Sequence, residues 1–217
     1  MNGAAEFYDR LIAQEGSNPR GLAFVSASSQ HLRFCSFVEA VPIDVNDSVL
    51  DVGCGFGDLQ PYLQQLGHRG DYEGWDISEA AVAEARRRLP RLADRLLHRD
   101  ALAAPVEEAP TFDWVFSSGA FNVGCSEARG HAAMAKLFAR ARKGLVLTFQ
   151  NARGTHRPAP DDGFQRAKYA PEAIYCDAKA VTPWVVLRDD YLPHDFLVAL
   201  LRRPAWDLRL TADPLTP

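Results

Sequence analysis

The chain has 217 residues, of which 47% are hydrophobic and 24% charged, and its formal net charge is -4. A chain of this size can bury a core without disulfides or metals, and its acidic balance disfavours nucleic acid as a partner. The four cysteines lie far apart, which argues against a zinc site and favours reduced thiols. The N-terminus lacks the apolar stretch of a signal peptide, and no segment approaches the ~20 apolar residues of a membrane span. We therefore expect a cytoplasmic protein without a membrane partner.

The chain begins with two predicted helices. The first covers residues 5–13 and the second about 29–40, because apolar residues recur in both at helical spacing. Pro42 ends the second helix, since proline cannot continue one.

From residue 48 onward, short apolar strands alternate with helices. Such alternation, with short turns, implies a parallel sheet that is covered by helices on both faces. The last two strands are separated by about six residues, which suits a hairpin and is too short for a parallel crossover. The predicted strands are 48–53, 72–77, 96–102, 112–117, 144–149, 184–188 and 195–202, and the predicted helices are 58–66, 79–89, 127–142 and 171–180.

The segment Asp51-Val-Gly-Cys-Gly-Phe-Gly57 lies between the first predicted strand and the helix after it. Glycines there permit positive φ and let a ligand lie against the backbone, and the helix N-terminus offers free N–H groups. The third glycine comes one residue too early for the dinucleotide pattern Gly-x-Gly-x-x-Gly. An acidic strand end followed by glycines at every second position resembles motif I of the class I S-adenosylmethionine (SAM)-dependent methyltransferases.

Acidic residues at the ends of the next two strands extend this resemblance. Asp76 follows Gly57 by 19 residues, at a place where a carboxylate can accept hydrogen bonds from both ribose hydroxyls. The resemblance implies that Asp76 binds the ribose and that Ile77 lies beside the adenine. It further implies that Asp100 accepts from the adenine amino group and that Ala101 lines the adenine face.

The resemblance covers roughly residues 30–205 and implies an α/β fold with a Rossmann-like, mostly parallel sheet of seven strands. The implied strand order is 3-2-1-4-5-7-6, with the last strand antiparallel, helices on both faces and an N-terminal helical cap. We expect a single domain throughout residues 1–217. Its parts are a cap (1–45), a SAM-binding core (46–151), a substrate-loop insertion (152–169), and a last helix with the closing hairpin (170–205).

The cofactor that the resemblance implies is SAM. Gln30 and Arg33 share one helix face, where they either reach the SAM carboxylate or the substrate, or form a solvated polar face. The residues expected at the cofactor are Asp51, Gly53, Cys54, Gly55, Gly57, Asp76, Ile77, Asp100, Ala101, Ser117 and Arg33.

Methyl transfer requires alignment of the nucleophile, and a general base only if the acceptor carries a proton. His156, His194 and Tyr169 are candidates for that base or for substrate contact, and a surface or capping role is the alternative for each. The fourth strand lacks the Asn-Pro-Pro-Tyr signature of many enzymes that methylate DNA bases or protein glutamine, which disfavours those targets.

The expected function is methyl transfer from SAM to an O, N or S nucleophile of a small molecule. Three alternatives remain open from the sequence. The first is other SAM chemistry, either aminocarboxypropyl transfer or cyclisation of SAM, and the second is a non-catalytic SAM-binding regulatory protein. The third is a macromolecular acceptor, of which a protein or peptide is harder to dismiss than nucleic acid.

Overall fold

The structure is a computed structural model that describes residues 3–103, 112–155, 162–211 and 215. Its strands are β1 (Val49–Val52), β2 (Tyr72–Asp76), β3 (Leu96–His98), β4 (Phe112–Ser118), β5 (Ala141–Gln150), β6 (Trp184–Arg188) and β7 (Asp195–Leu201).

Within the described residues, the seven strands form one sheet of order β3-β2-β1-β4-β5-β7-β6. The pairs from β3 to β5 are parallel, and β7 runs antiparallel to both β5 and β6. The sequence-based fold class and strand order are therefore confirmed. The short connection of the closing hairpin is what reverses β7, since a parallel crossover needs a dozen or more residues.

Serine side chains fix the starts of three helices. Ser26, Ser78 and Ser126 each accept a hydrogen bond from the backbone N–H three residues later, as N-caps do. The helices are α1 (Gly3–Glu15), α2 (Ala27–Ala40), α3 (Leu59–Gln65), α4 (Glu79–Arg88), α5 (Glu127–Phe138), α6 (Pro171–Val181) and α7 (Ala205–Thr211), with short 3-10 helices at Pro19–Leu22 and Pro90–Arg95.

Helices cover both faces of the sheet. Phe37 of α2 and Leu63 of α3 are fully buried against one face, and Leu137 of α5 and Ile174 of α6 against the other. No helix in the described ranges is long and apolar enough to cross a membrane.

Three predicted boundaries were wrong by three residues or more, and one of them is the start of the strand predicted at 144–149, which begins at Ala141. The predicted helix 127–142 ends at Phe138, because Ala141 already pairs with Phe112 in the sheet. The predicted strand 96–102 ends at His98, so that Asp100 lies in the following turn. Helix α7 was not predicted.

Candidate active site

The glycine-rich turn after β1 has the backbone conformation that its sequence predicts. Gly53 and Gly55 have φ angles of +75° and +55°, in the left-handed region that favours glycine. A Cβ atom at Gly53 would lie 2.5 Å from the Cβ of Ala120, and one at Gly55 would lie 2.6 Å from a methyl group of Leu22. Close approach and φ together therefore require glycine at Gly53, whereas at Gly55 it is the φ angle that favours glycine.

The Asp76 carboxylate ties this turn to the end of β2. It accepts from the backbone N–H of Gly55 and from that of Ser78, both at 2.8 Å. Burial raises the pKa of Asp76, while these two N–H donors lower it. The Asp76 side chain is buried and also lines a cleft beside the turn. Its two backbone hydrogen bonds therefore hold a carboxylate at the wall of this cleft.

Asp51, at the end of β1, lies in the same cleft. Its carboxyl group accepts a hydrogen bond of 2.7 Å from the hydroxyl of Tyr72. Burial, together with the nearby carboxylate of Asp76, raises the pKa of Asp51 to about 7. A positive charge in the cleft would offset both effects.

The N-terminal helices form the outer wall of this cleft. Tyr8 of α1 and Gln30 and Phe34 of α2 line it, together with Leu22 and Phe24 from the segment between the two helices. Burial and the neighbouring Asp76 raise the pKa of Tyr8 to about 12, so its hydroxyl group stays protonated near neutral pH.

Two adjoining cavities make up the cleft, with empty volumes of about 610 and 780 Å³. They lie at the carboxyl ends of the parallel strands, where ligands of open α/β sheets bind. The residues that line both cavities are Gly53, Asp76, Ile77 and Ala120.

The second cavity brings together the predicted residues of the third strand end. Asp100 and Ala101 line it beside Arg99 and Arg129. The Asp100 carboxylate accepts a hydrogen bond of 2.7 Å from Arg129 of α5 and another of 2.9 Å from the backbone N–H of Leu102. Asp100 thus already has two donors, although a carboxylate has further lone pairs to offer.

At the end of β4, the serine that faces the cleft is Ser118 and not the predicted Ser117. Ser118 lines the first cavity, whereas the predicted Ser117 is buried and does not line either of the two cavities. Side chains alternate between the faces of a strand, so Ser117 points toward the opposite face from Ser118.

Arg33 is buried on α2, and its Nε donates to the carboxylate of Asp195 on β7. Its guanidinium carbon lies 4.8 Å from the centroid of the Phe24 ring, and a Cβ atom at Gly119 would lie 3.8 Å from its Nη1. Arg33 therefore lies beside the turn after β4 and next to Phe24, which lines the first cavity; Arg33 itself lines neither cavity and is not on a solvated face.

The candidates for a general base lie apart from this cleft or outside the described residues. Tyr169 is 1% exposed, and its hydroxyl donates 2.7 Å to the carbonyl of Phe121, which favours a structural role. Burial also raises the pKa of Tyr169. His194 directly precedes β7 and is half-buried, and neither residue lines the two cavities. His156 lies outside the described residues.

The remaining predicted residues divide between the cleft and the packing. Cys54 lines the first cavity, and burial raises the pKa of its thiol. Gly57 has a φ of +78°, and a Cβ atom there would lie 2.7 Å from the Leu89 side chain, which is a helix-packing contact. Residues of the site that the sequence analysis missed include Tyr8, Leu22, Phe24, Arg99, Ser118, Ala120 and Arg129.

Comparisons with known proteins agree with this architecture. Residues 49–144 match the family described as "Methyltransferase domain". No curated protein matches the chain. Solved structures that resemble it include magnesium protoporphyrin IX methyltransferase from Synechocystis with bound S-adenosylhomocysteine (SAH), at 18% identity and a TM-score of 0.58, covering 90% of this chain and 100% of that one.

Two further solved structures have similar folds. A SAM-dependent methyltransferase from Archaeoglobus fulgidus has 13% identity and a TM-score of 0.63, covering 83% of this chain and 96% of that one. A putative methyltransferase of the same kind from Listeria monocytogenes has 14% identity and a TM-score of 0.58, covering 80% and 99%. At these identities, the likeness shows the fold.

The strand order, the glycine turn and the acidic strand ends define a Rossmann-like, cofactor-binding α/β domain. Residues 49–144 match the methyltransferase-domain family, and the chain has the fold of the class I SAM-dependent methyltransferases.

Proposed function

We propose that the chain transfers the methyl group of SAM to an O, N or S nucleophile of a small molecule. The observation that carries this proposal is the single cleft in which Asp51, Asp76 and the Gly53–Gly55 turn face the end of β4. The Synechocystis relative, which is named for a small molecule, magnesium protoporphyrin IX, also supports it.

The residues of the cleft fit the cofactor. SAM carries a sulfonium and an ammonium group, and the buried, raised-pKa carboxyl group of Asp51 would be stabilised in its charged form by such cations. Asp76 is held in place by two backbone N–H groups and would accept from the ribose hydroxyls. Ile77, Asp100 and Ala101 line the second cavity, which we assign to the adenine.

When bound, SAM supplies a sulfonium methyl group: its carbon–sulfur bond breaks as the carbon–nucleophile bond forms, and the electron pair stays on sulfur to give SAH. The protein's part is alignment and the exclusion of water. Tyr8, Phe24 and Phe34 close the cleft from the N-terminal side, and Ser118 stands at its inner end. Of the sequence-based candidates for a base, Tyr169 and His194 line neither cavity and His156 lies outside the described residues, so no base is assigned.

We also propose that the division of the chain follows these roles. The segment 1–45 would cap the cleft, 46–151 hold the cofactor, 152–169 contact the acceptor, and 170–205 complete the sheet. Two β-bridges near the C-terminal end of the third segment support this division, since Arg166 pairs with Val123 and Tyr169 pairs with Asn151. A cytoplasmic location is part of the same proposal.

Product analysis tests the proposed reaction. The purified protein is incubated with SAM and a panel of small hydroxyl, amine and thiol acceptors, and the products are separated by mass spectrometry. SAH together with an acceptor that has gained a methyl group is the expected result. Methylthioadenosine would instead indicate aminocarboxypropyl transfer or cyclisation, and SAM binding without any product would indicate a regulatory protein.

A further inference from the structure

A row of polar side chains crosses three neighbouring strands beside the cleft. Ser118 of β4 is in register with Thr148 of β5, and Asp195 of β7 is in register with Gln150, two residues beyond Thr148. On each strand, the residue two positions away packs on the α2 side of the sheet. These residues are Phe116 for Ser118, Val146 for Thr148 and Leu197 for Asp195. Because side chains alternate along a strand, all three face α2.

Three hydroxyl groups in this region are buried without a hydrogen-bond partner among the described residues. They are those of Ser118, Thr148 and Tyr191. Tyr191 lies in the connection before β7 and packs on the apolar side chains of the α2 side. Burial raises the pKa of Tyr191, and the charges of Asp195 and Arg33 also act on this pKa. A buried hydroxyl without a partner is unfavourable, so three together indicate groups that await a ligand or water.

The charge of this region is already balanced. Arg33 donates from Nε to Asp195, which is 0% exposed, so the buried guanidinium and carboxylate neutralise each other. The ring of Phe24 covers the guanidinium at 4.8 Å. Asp51 and Asp76 of the same cavity are assigned to the cofactor, so a charged acceptor entering here would have no net counter-charge of its own, and burying such a group is costly. A hydroxyl group, in contrast, both donates and accepts, and so suits a neutral polar ligand.

We propose that Ser118, Thr148 and Tyr191 bind the methyl acceptor, and that the acceptor is an uncharged small molecule with a hydroxyl or carbonyl oxygen. This inference rests on the proposed function, because it assigns the acceptor side of the same cleft. Ser118 lines the first cavity directly, and the row of hydroxyls leads from it toward β7.

Binding to the SAH complex tests the acceptor class. The probes are meta-hydroxybenzyl alcohol, meta-hydroxybenzoate and meta-hydroxybenzylamine, which have similar size and differ in charge. With saturating SAH, calorimetry is expected to detect the neutral probe and to give at least roughly tenfold weaker binding for both charged probes. No binding of the neutral probe to the SAH complex, or tighter binding of a charged one, would overturn the inference. If SAH itself does not bind, the proposed function fails instead.

Thr148→Val tests the hydroxyl row at nearly constant side-chain volume. We expect roughly tenfold weaker binding of the neutral probe, unchanged SAH affinity and a higher melting temperature of the free protein, since a buried orphan hydroxyl is removed. Thr182→Val is the matched control, because the Thr182 hydroxyl donates 2.7 Å to the Leu201 carbonyl. It should lower the melting temperature and leave probe binding unchanged. Unaltered probe binding in Thr148→Val would contradict the assignment.

Discussion

Asp51 is a buried carboxyl group whose pKa of about 7 has a direct consequence for stability. Its pKa in the unfolded chain is near 4, so the folded form binds the proton more tightly. The stabilisation is complete below about pH 4 and is lost as the pH rises through about 7. Asp51→Asn keeps an oxygen for the Tyr72 hydroxyl but cannot ionise.

We therefore expect Asp51→Asn to unfold at higher urea than the wild type at about pH 8, with a difference of a few kcal/mol at most. At about pH 4 the difference should nearly vanish. Urea titrations of the SAH-free protein at both pH values measure it. A gap that does not change with pH would show that Asp51 titrates normally.

Asp76→Ala is expected to remove most of the measurable affinity for SAH. The substitution deletes the proposed ribose ligand and also the acceptor for the N–H groups of Gly55 and Ser78. Calorimetric titration with SAH measures the effect. Asp71→Ala is the control, because Asp71 is an exposed carboxylate that pairs with Arg95 away from the cleft. Near-wild-type binding by Asp76→Ala would contradict the assignment of this strand end.

At the scale of elements, one carboxylate joins α1 to the rest of the domain. Asp9 accepts from the Ser78 hydroxyl and, at 3.4 Å, from the backbone N–H of Ala80, at the start of α4. A carboxylate is favourable at a helix N-terminus. We expect Asp9→Ala to loosen α1 and to raise the dissociation rate of SAH several-fold, as measured by stopped-flow displacement. Glu6→Ala, which breaks only an exposed pair with Arg10, should leave that rate unchanged.

A second element prediction concerns the proposed acceptor segment. The backbone N–H of Ala167 donates a hydrogen bond of 2.9 Å to the Asn122 carbonyl, and that of Gly124 donates one of 2.8 Å to the Gln165 carbonyl. These two bonds attach residues 162–169 to the loop after β4. Replacing residues 156–161 with a shorter Gly-Ser link should impair turnover and preserve SAH binding. Loss of both would assign the segment to the cofactor site or the core.

The elements also show how far the sequence could be interpreted. The glycine turn and Asp76 were found because local backbone demands and strand ends are visible in the sequence. The boundary between α5 and β5 was missed because Ala141 becomes a strand residue through its pairing with Phe112. Ser118 was missed in favour of Ser117, although the alternation of Trp114 and Phe116 on the α2 side carried the signal. Tyr8 and Phe24 join the site only through tertiary packing, which no periodicity reports.

For the whole molecule, cofactor binding and folding should be linked. A ligand present at 100 times its Kd stabilises the folded state by about 2.7 kcal/mol. For a domain of this size, that corresponds to a rise in melting temperature of roughly 5–10 °C. Thermal unfolding with and without SAH measures the shift, and Asp76→Ala should abolish it. A wild-type protein that SAH does not stabilise would contradict the proposed cofactor site.

The ion pair between Arg33 and Asp195 joins residues 162 positions apart. During synthesis, the guanidinium of α2 has no counter-charge until β7 has been made and inserted between β5 and β6. A nascent chain that stops before β7 would have to bury an unpaired charge in order to dock α2 over the sheet, and that is strongly unfavourable. We therefore expect α2 to close over the cleft only after β7 has joined the sheet.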